Sequence, residues 1–161
     1  MKKKQVLMTC MAFLLSFGVT GCNQENDTPV AQRKAFELTN FANTGCKNNT
    51  RSVDDEWKQT VSYSVLQAGY LYLNHQNAVF NCCPGTLGAD VRMEGNSITI
   101  GEYESASDCD CTCTYDLSYE IGPLTEGETY TIFIGHKGLE SEVAEFTFQN
   151  TMSGEWDIPR D

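Results

Sequence analysis

The sequence predicts an all-β protein, an immunoglobulin-like β-sandwich stapled by disulfides. Short segments in which apolar and polar residues alternate recur along the chain, and Gly, Asn or Pro residues separate them. Six cysteines lie between residues 46 and 113, an even number that suits a disulfide framework in an exported domain. Long helical periodicities are rare in the chain, so we expect many short strands arranged in two packed sheets.

Nine strands are predicted from residue 36 onward. Phe36–Phe41 and Val61–Val65 alternate apolar and polar side chains, as strands with one buried face do. We expect two hairpins, one turning at His75–Asn77 and the other at Gly95-Asn96. The remaining predicted strands are Tyr70–Asn74, Ala78–Cys82, Asp90–Glu94, Ser97–Gly101, Thr114–Ile121, Thr129–Ile134 and Val143–Phe148.

The N-terminus has the parts of a secretory signal. Three lysines at positions 2–4 precede an uncharged, mostly apolar run from Val6 to Val19, which is too short to span a bilayer comfortably. The run ends in Val19-Thr20-Gly21-Cys22, which resembles a lipobox, the bacterial motif in which the cysteine is lipidated and becomes the first mature residue. Residues 1–21 are therefore predicted to be a lipoprotein signal peptide, and Cys22 to carry the membrane anchor. The alternative is an ordinary signal peptide that is cut elsewhere.

A single folded domain is expected C-terminal to the lipidated cysteine. Residues 22–34 would hold the lipidated cysteine and a polar tether, and residues 35–150 would form the sandwich. A short helical turn is expected at Asp54–Trp57, because acidic side chains suit a helix N-terminus. Residues 151–161 are predicted to be an exposed C-terminal tail, and the sequence leaves open whether Trp156 packs back onto the domain.

The chain is strongly acidic, with a net charge of -11. The predicted signal contains three lysines and no acidic residue, so the mature chain is more acidic still. Nucleic acid is not expected as a partner, because the chain has no basic footprint for phosphates. Anionic headgroups repel such a domain, so we expect the lipid alone to attach it to the membrane. Glu25 and Asp27 resemble the acidic export signals of Bacteroidota lipoproteins, which favours the outer membrane.

Six cysteines remain for disulfides once Cys10 leaves with the signal and Cys22 carries lipid. They are Cys46, Cys82, Cys83, Cys109, Cys111 and Cys113. We expect Cys82 and Cys83 not to bond to each other, because neighbouring side chains on a strand point to opposite faces. Residues two apart on an extended strand lie at the edge of disulfide geometry. If the last three cysteines do not pair among themselves, six of the 15 connectivities remain.

The same cysteines allow a second interpretation, a metal site. Asp108–Cys113 and Cys82-Cys83 are dense in thiolates and carboxylates, which Cu(I) or Zn²⁺ would bind. However, the spacing is Cys-x-Cys rather than the Cys-x-x-Cys of zinc knuckles, and the chain has two histidines. Disulfides are therefore favoured, and neither a metal nor another cofactor is expected.

No catalytic site is predicted. His75 in a predicted turn and His136 at a strand end are expected to be exposed side chains rather than bases. The segment 102–110 is expected to be a solvated loop, since it lacks the order of an EF-hand calcium loop and gives no evidence for two positioned glycosidase carboxylates. Its acidic residues are Glu102, Glu104, Asp108 and Asp110. A Gly-x-Ser-x-Gly motif and a glycine-rich phosphate loop are both missing from the sequence.

The seven tyrosines are candidate platforms for a glycan or anchors for a protein partner. On strands, however, such residues are more often half-buried parts of the sheet. They are Tyr63, Tyr70, Tyr72, Tyr103, Tyr115, Tyr119 and Tyr130.

Four stretches between Tyr70 and Ile134 resemble a group of small uncharacterised Bacteroidota lipoproteins with a Cys-Cys … Cys-x-Cys-x-Tyr-Asp pattern. The stretches are Tyr70–His75, Phe80–Pro84, Ile98–Glu102 and Cys111–Ile121. The resemblance implies an exported, disulfide-bonded β-domain and no activity. We therefore expect a lipid-anchored envelope protein with a non-catalytic binding or structural domain. The alternatives are a thiolate-rich Cu/Zn-binding protein and an enzyme or carbohydrate-binding module.

Overall fold

The computed structural model describes residues 34–47 and 58–158. These residues form nine strands and no helix, and the strands form two sheets packed against each other. Cys22 and the predicted helical turn at Asp54–Trp57 lie outside the described residues. The strands are β1 (Glu37–Asn43), β2 (Thr60–Gln67), β3 (Tyr70–Asn81), β4 (Leu87–Glu94), β5 (Ser97–Glu104), β6 (Thr112–Gly122), β7 (Thr129–His136), β8 (Ser141–Thr147) and β9 (Ser153–Asp157).

One sheet has five strands in the order β1-β6-β3-β2-β9, and the other has four in the order β4-β5-β7-β8. Neighbouring strands are antiparallel, except that β5 and β7 run parallel. The parallel pair arises because the chain crosses to the other sheet as β6 before it returns as β7. The predicted all-β, disulfide-stapled sandwich is confirmed at the level of two packed sheets and three disulfides.

Alternation along the strands builds the core between the sheets. On β5 and β7 the isoleucines at every second position are buried, and the residues between them, Thr99 on β5 and Phe133 on β7, lie on the outer face and are half-buried. Burying one such side chain contributes about 1.5–3 kcal/mol. The fully buried apolar side chains include Leu71, Leu73, Ile98, Ile100, Leu117, Ile121, Ile132, Ile134 and Phe148.

The hairpin predicted at His75–Asn77 is wrong, because β3 is a single strand of 12 residues. These polar residues instead lie at a β-bulge, where the register between β3 and β6 shifts between His75 and Ala78. Asn77 has a φ of 60°, a conformation that Asn adopts more readily than most residues. The bulge lets Leu73 and Phe80, on either side of it, face the same core.

The hairpin predicted at Gly95-Asn96 is confirmed, because these two residues connect β4 to β5. Glu94 pairs with Ser97 across the turn. Gly95 has a φ of 60°, as the first central residue of a two-residue hairpin turn requires.

The predicted C-terminal tail is wrong for residues 153–157, which form β9 at the edge of the five-stranded sheet. Trp156 packs inward, with its ring centroid 4.1 Å from Tyr63 and 5.2 Å from Phe146. Gly154 on β9 pairs with Tyr63 on β2. A Cβ at Gly154 would lie 2.6 Å from the Tyr63 hydroxyl oxygen, so a glycine leaves the room that the Tyr63 side chain occupies. The polar sequence around Trp156 has little β-propensity, so packing rather than propensity places this strand.

We predict that Trp156→Ala lowers the free energy of unfolding by about 2 kcal/mol, since it removes a half-buried ring that closes the edge of the core. Urea denaturation measures this. Leu139→Ala is the control, because Leu139 is 77% exposed and its loss should change stability by no more than about 0.5 kcal/mol. Equal effects of the two substitutions would show that β9 does not contribute to the core.

Candidate functional site

A polar cluster lies inside the otherwise apolar core and joins the two sheets. It consists of His75 on β3, Tyr119 on β6 and Glu102 on β5, with Gln59 at its border. The side chains of His75 and Glu102 are each 2% exposed, and Tyr119 is fully buried. This cluster is hereafter called the inter-sheet cluster.

Strand alternation aims all three ionisable side chains into the core. Glu102 continues the inward-facing series of Ile98 and Ile100 on β5. His75 is the last inward residue of β3 before the bulge, and it pairs with Leu117, the next inward residue to Tyr119 on β6. Burying an acid and a base here is tolerated because each finds its partners on the facing strands.

The hydrogen bonds of the cluster engage both oxygens of Glu102. His75 Nδ1 lies 2.9 Å from Oε2 and 3.0 Å from Oε1. The Tyr119 hydroxyl donates to Glu102 Oε1 over 2.9 Å. On the far side of the ring, His75 Nε2 lies 3.1 Å from Gln59 Oε1. Both ring nitrogens of His75 therefore have a side-chain oxygen within hydrogen-bond distance.

The electrostatic surroundings keep Tyr119 neutral. Burial raises the pKa of its hydroxyl well above the usual value, and the negative charge of Glu102 and the hydrogen bond to that carboxylate raise it further. The Tyr119 hydroxyl therefore keeps its proton in the folded domain near neutral pH, and it remains a hydrogen-bond donor to Glu102.

Chemically, the inter-sheet cluster combines a base, a carboxyl group and a hydroxyl, the groups that acid–base catalysis uses. Its position argues for a different role, since the His75 and Glu102 side chains are enclosed between the sheets and cannot contact a substrate. Removing either partner would leave the other buried polar side chain without its hydrogen bonds, which costs about 1–3 kcal/mol. The arrangement therefore holds the sheets in one relative register.

Two expectations about these residues are wrong. His75 is not exposed in a turn, because the bulge keeps β3 continuous through it. Glu102 and Glu104 do not belong to a solvated loop, because β5 extends to Glu104. The signal that could have found Glu102 is the alternation of Ile98 and Ile100, which places the residue two positions further on the same face. The run of polar and acidic residues that follows obscures it.

The other polar candidates do not converge on one site. His136 ends β7 with an exposed side chain, as expected, and its Nε2 lies 2.8 Å from the carbonyl oxygen of Val79. Glu104 accepts hydrogen bonds from the Asn81 amide and the Ser107 hydroxyl. Asp108 and Asp110 are exposed in the loop that follows β5.

All six predicted cysteines form disulfides, in one of the six connectivities that the sequence left open. The bonds are Cys46–Cys113, Cys82–Cys111 and Cys83–Cys109. The expectation that Cys82 and Cys83 do not bond to each other is confirmed. They do not occupy opposite faces of a strand, however, because β3 ends at Asn81 and both cysteines are half-buried in the bend that follows.

Asn81 organises the chain around these disulfides, although the sequence does not single it out. Its Oδ1 accepts hydrogen bonds from the amides of Cys83 (2.8 Å) and Cys109 (3.3 Å), and its Nδ2 donates to the carbonyl oxygen of Cys109. The Tyr115 hydroxyl donates to the Asn81 carbonyl oxygen. One side-chain amide thus brings together the two backbone segments that the Cys83–Cys109 bond joins.

A shallow hollow lies on the outer face of the four-stranded sheet above Gly101. Its lining includes Asp90, Arg92, Lys137 and Glu140. Lys137 donates to Asp90 over 2.5 Å, and this hydrogen bond raises the pKa of the Lys137 ammonium. A Cβ on Gly101 would clash with Glu140 and Lys137, so the absence of a side chain here lets the β7–β8 turn pack against the outer face of the sheet. Opposite charges line the hollow, so it favours neither anions nor cations.

Comparison with known proteins identifies no relative: no family model, curated protein or solved structure matches the chain. Within residues 34–47 and 58–158, no helix is long and apolar enough to cross a membrane. In the same residues, no three His, Cys, Asp or Glu side chains are grouped so that they could hold a metal ion.

We predict strong coupling between His75 and Glu102 in a double-mutant cycle. His75→Ala and Glu102→Ala should each lower the free energy of unfolding by about 3 kcal/mol, because each leaves the partner buried and unpaired. The decrease in the free energy of unfolding of the double variant should be smaller than the sum of the two single decreases by at least about 1 kcal/mol. Chemical denaturation of the four proteins measures this.

The exposed pair Lys58–Asp157 provides the control cycle, with side chains 61% and 63% exposed. Its coupling should not exceed about 0.5 kcal/mol, because solvent screens the pair. A His75–Glu102 coupling as small as this control would contradict a role for the cluster in joining the sheets.

We predict that Tyr119→Phe changes the alkaline stability of the domain. An unfolded tyrosine ionises near pH 10, whereas burial holds the pKa of Tyr119 well above that value. Above about pH 10 the unfolded state therefore binds fewer protons than the folded state, and the free energy of unfolding falls as pH rises. Phenylalanine lacks this contribution, so the stability advantage of the wild type over Tyr119→Phe should shrink between about pH 8 and pH 11. A constant difference in urea denaturation across this range would refute the argument.

Proposed function

We propose that this chain is a lipid-anchored protein of the bacterial cell envelope, and that its β-sandwich binds or supports another envelope component without catalysis. The lipid would be attached at Cys22 and would hold the domain on the outer membrane. The acidic surface would then face the aqueous side and keep the domain away from anionic headgroups.

The disulfide framework is the observation that carries the proposal. Three disulfides join all six cysteines of the predicted mature domain, and such bonds persist in oxidising compartments outside the cytoplasm. The lipobox-like Val19-Thr20-Gly21-Cys22 would hold the exported domain at the membrane. The disulfides and the lipobox-like motif are therefore two independent arguments for a location in the cell envelope.

The enclosed inter-sheet cluster supports the non-catalytic part of the proposal. His75, Glu102 and Tyr119 have the chemistry of a catalytic site, but the two sheets cover them. Their partners are one another, and their geometry suits a structural link. A binding or supporting role would then use the surfaces of the sheets rather than the core.

The alternative of a thiolate-rich copper or zinc protein needs free cysteines. In the folded domain the six sulfurs are paired with one another, so the disulfide bonds argue for the envelope domain and against thiolate ligands. Thiol titration of the purified protein separates the two: a disulfide-bonded domain does not react until it is reduced, whereas a metal–thiolate protein reacts once the metal is chelated.

We predict that Cys22→Ala releases a folded domain from the membrane fraction, because the substitution removes the acceptor of the lipid. Membranes from cells that express the full chain are washed with high salt and probed for the protein. Cys10→Ala is the matched control, since Cys10 lies in the predicted signal and its loss should leave the protein in the membrane pellet. Retention of Cys22→Ala in the membrane pellet after the wash would contradict the lipid anchor. In that case, co-purification of the wild-type protein from native membranes would identify the partner that keeps it there.

A further inference from the structure

The three disulfides are nested in the order of the chain. Cys46–Cys113 encloses Cys82–Cys111, which in turn encloses Cys83–Cys109. Of these bonds, only the innermost joins cysteines that follow each other in the sequence of the domain. Each outer bond therefore requires its first cysteine to stay reduced, or to exchange its partner, until a more distant cysteine arrives.

Oxidation in the order of export would give a different set of bonds. Cys46 first meets Cys82, and Cys111 is followed two residues later by Cys113. Among long loops the closure entropy depends only weakly on length, so it does not favour the native outer bonds, which close separations of 67 and 29 residues, over Cys46–Cys82. Six cysteines allow 15 pairings, and the close spacing of Cys82 with Cys83 and of Cys109 with Cys111 makes several of them near-equivalent in an unfolded chain.

The folded backbone is what distinguishes the native partners. Asn81 pairs with Thr112 as the last residues of the β3–β6 ladder, and just beyond it the amide of Cys82 donates to the carbonyl oxygen of Cys111 over 3.1 Å. The Asn81 side chain then holds the amides of Cys83 and Cys109 together. These contacts exist once β3 has paired with β6, so they cannot direct bonds that form earlier.

The Cys46–Cys113 bond depends on folding in the same way. The amide of Lys47 donates to the carbonyl oxygen of Thr114 over 2.9 Å, and this isolated bridge places Cys46 beside Cys113 on the edge of β6. The two cysteines are 67 residues apart in the chain. β6 must therefore be in place before the outermost bond can form correctly.

We propose that this chain requires a thiol–disulfide isomerase as a partner, and that the enzyme resolves non-native bonds among the four cysteines of the two outer bonds. Cys46 and Cys111 are exposed in the folded domain, so each outer bond has one cysteine near solvent. Cys83 and Cys109 of the innermost bond are both half-buried. The inference goes beyond the proposed envelope function and does not depend on lipidation of Cys22.

The exchange is balanced without an oxidant or a reductant. An enzyme thiolate attacks Cys113 of a Cys111–Cys113 bond, which gives a mixed disulfide and releases the Cys111 thiolate. Cys111 then attacks Cys82 of a Cys46–Cys82 bond, which forms the native Cys82–Cys111 bond and releases the Cys46 thiolate. Cys46 attacks Cys113 in the mixed disulfide, which forms Cys46–Cys113 and returns the enzyme thiolate. Two disulfides are present before and after, and only their partners change.

The test uses the full chain with Cys10→Ala and Cys22→Ala, so that the six disulfide cysteines remain. The reduced, denatured chain is refolded with a dithiol oxidase, either alone or with a disulfide isomerase, and the bonds are identified by peptide mapping without reduction. With the oxidase alone we expect fully oxidised chains that carry Cys46–Cys82 or Cys111–Cys113 bonds. Addition of the isomerase should raise the native fraction several-fold. Equal native yields and rates without the isomerase would overturn the proposal.

Two controls separate exchange from other effects. An isomerase whose active-site cysteines are replaced by alanine should not raise the native yield, and an equal rise would show that binding rather than exchange is responsible. Cys46→Ala/Cys113→Ala removes the outermost bond and leaves four cysteines, so early capture of Cys82 by Cys46 is impossible. The isomerase effect should shrink in this variant, and an undiminished effect would show that capture of Cys82 by Cys46 is not its cause.

Discussion

The antiparallel pairing of β3 with β6 is the contact on which the rest of the domain depends. These two long strands lie at the centre of the five-stranded sheet and present much of its buried face. Their register brings His75 and Tyr119 onto the same side and carries the backbone to the point where Cys82 meets Cys111. An error in this pairing would therefore displace the core, the inter-sheet cluster and the disulfides together.

The class of the fold was predictable because alternation and turn residues are local signals. The β4–β5 hairpin follows from Gly95-Asn96 between two alternating segments. The same reasoning fails at His75–Asn77, since a polar triplet marks either a turn or a bulge, and only the long-range pairing with β6 decides between them. It also fails at β9, where a stacking partner 4.1 Å from Trp156 places the strand despite a sequence of low β-propensity.

The candidate site escaped sequence reasoning for a related reason. The six cysteines could be predicted as disulfides from their number and compartment, whereas their connectivity needed the strand register. Glu102 and His75 are 27 residues apart, and each continues an alternation of buried apolar residues, which indicates an inward face but names no partner. Their partnership exists because two different sheets face each other, and no periodicity along one segment contains that information.

The inter-sheet cluster and the disulfides constrain the domain in complementary ways. Disulfides act largely by limiting the unfolded chain. Two of them join the end of β3 to the start of β6, and the third joins the segment after β1 to β6. The His75–Glu102 pair acts in the folded state, because its buried polar groups are hydrogen-bonded in one arrangement of the sheets and unpaired in a shifted one. Apolar packing alone tolerates small slides between sheets, since isoleucine contacts are non-directional. The directional hydrogen bonds of His75 and Glu102 oppose such slides at a point on β5, a strand that contains none of the six disulfide cysteines.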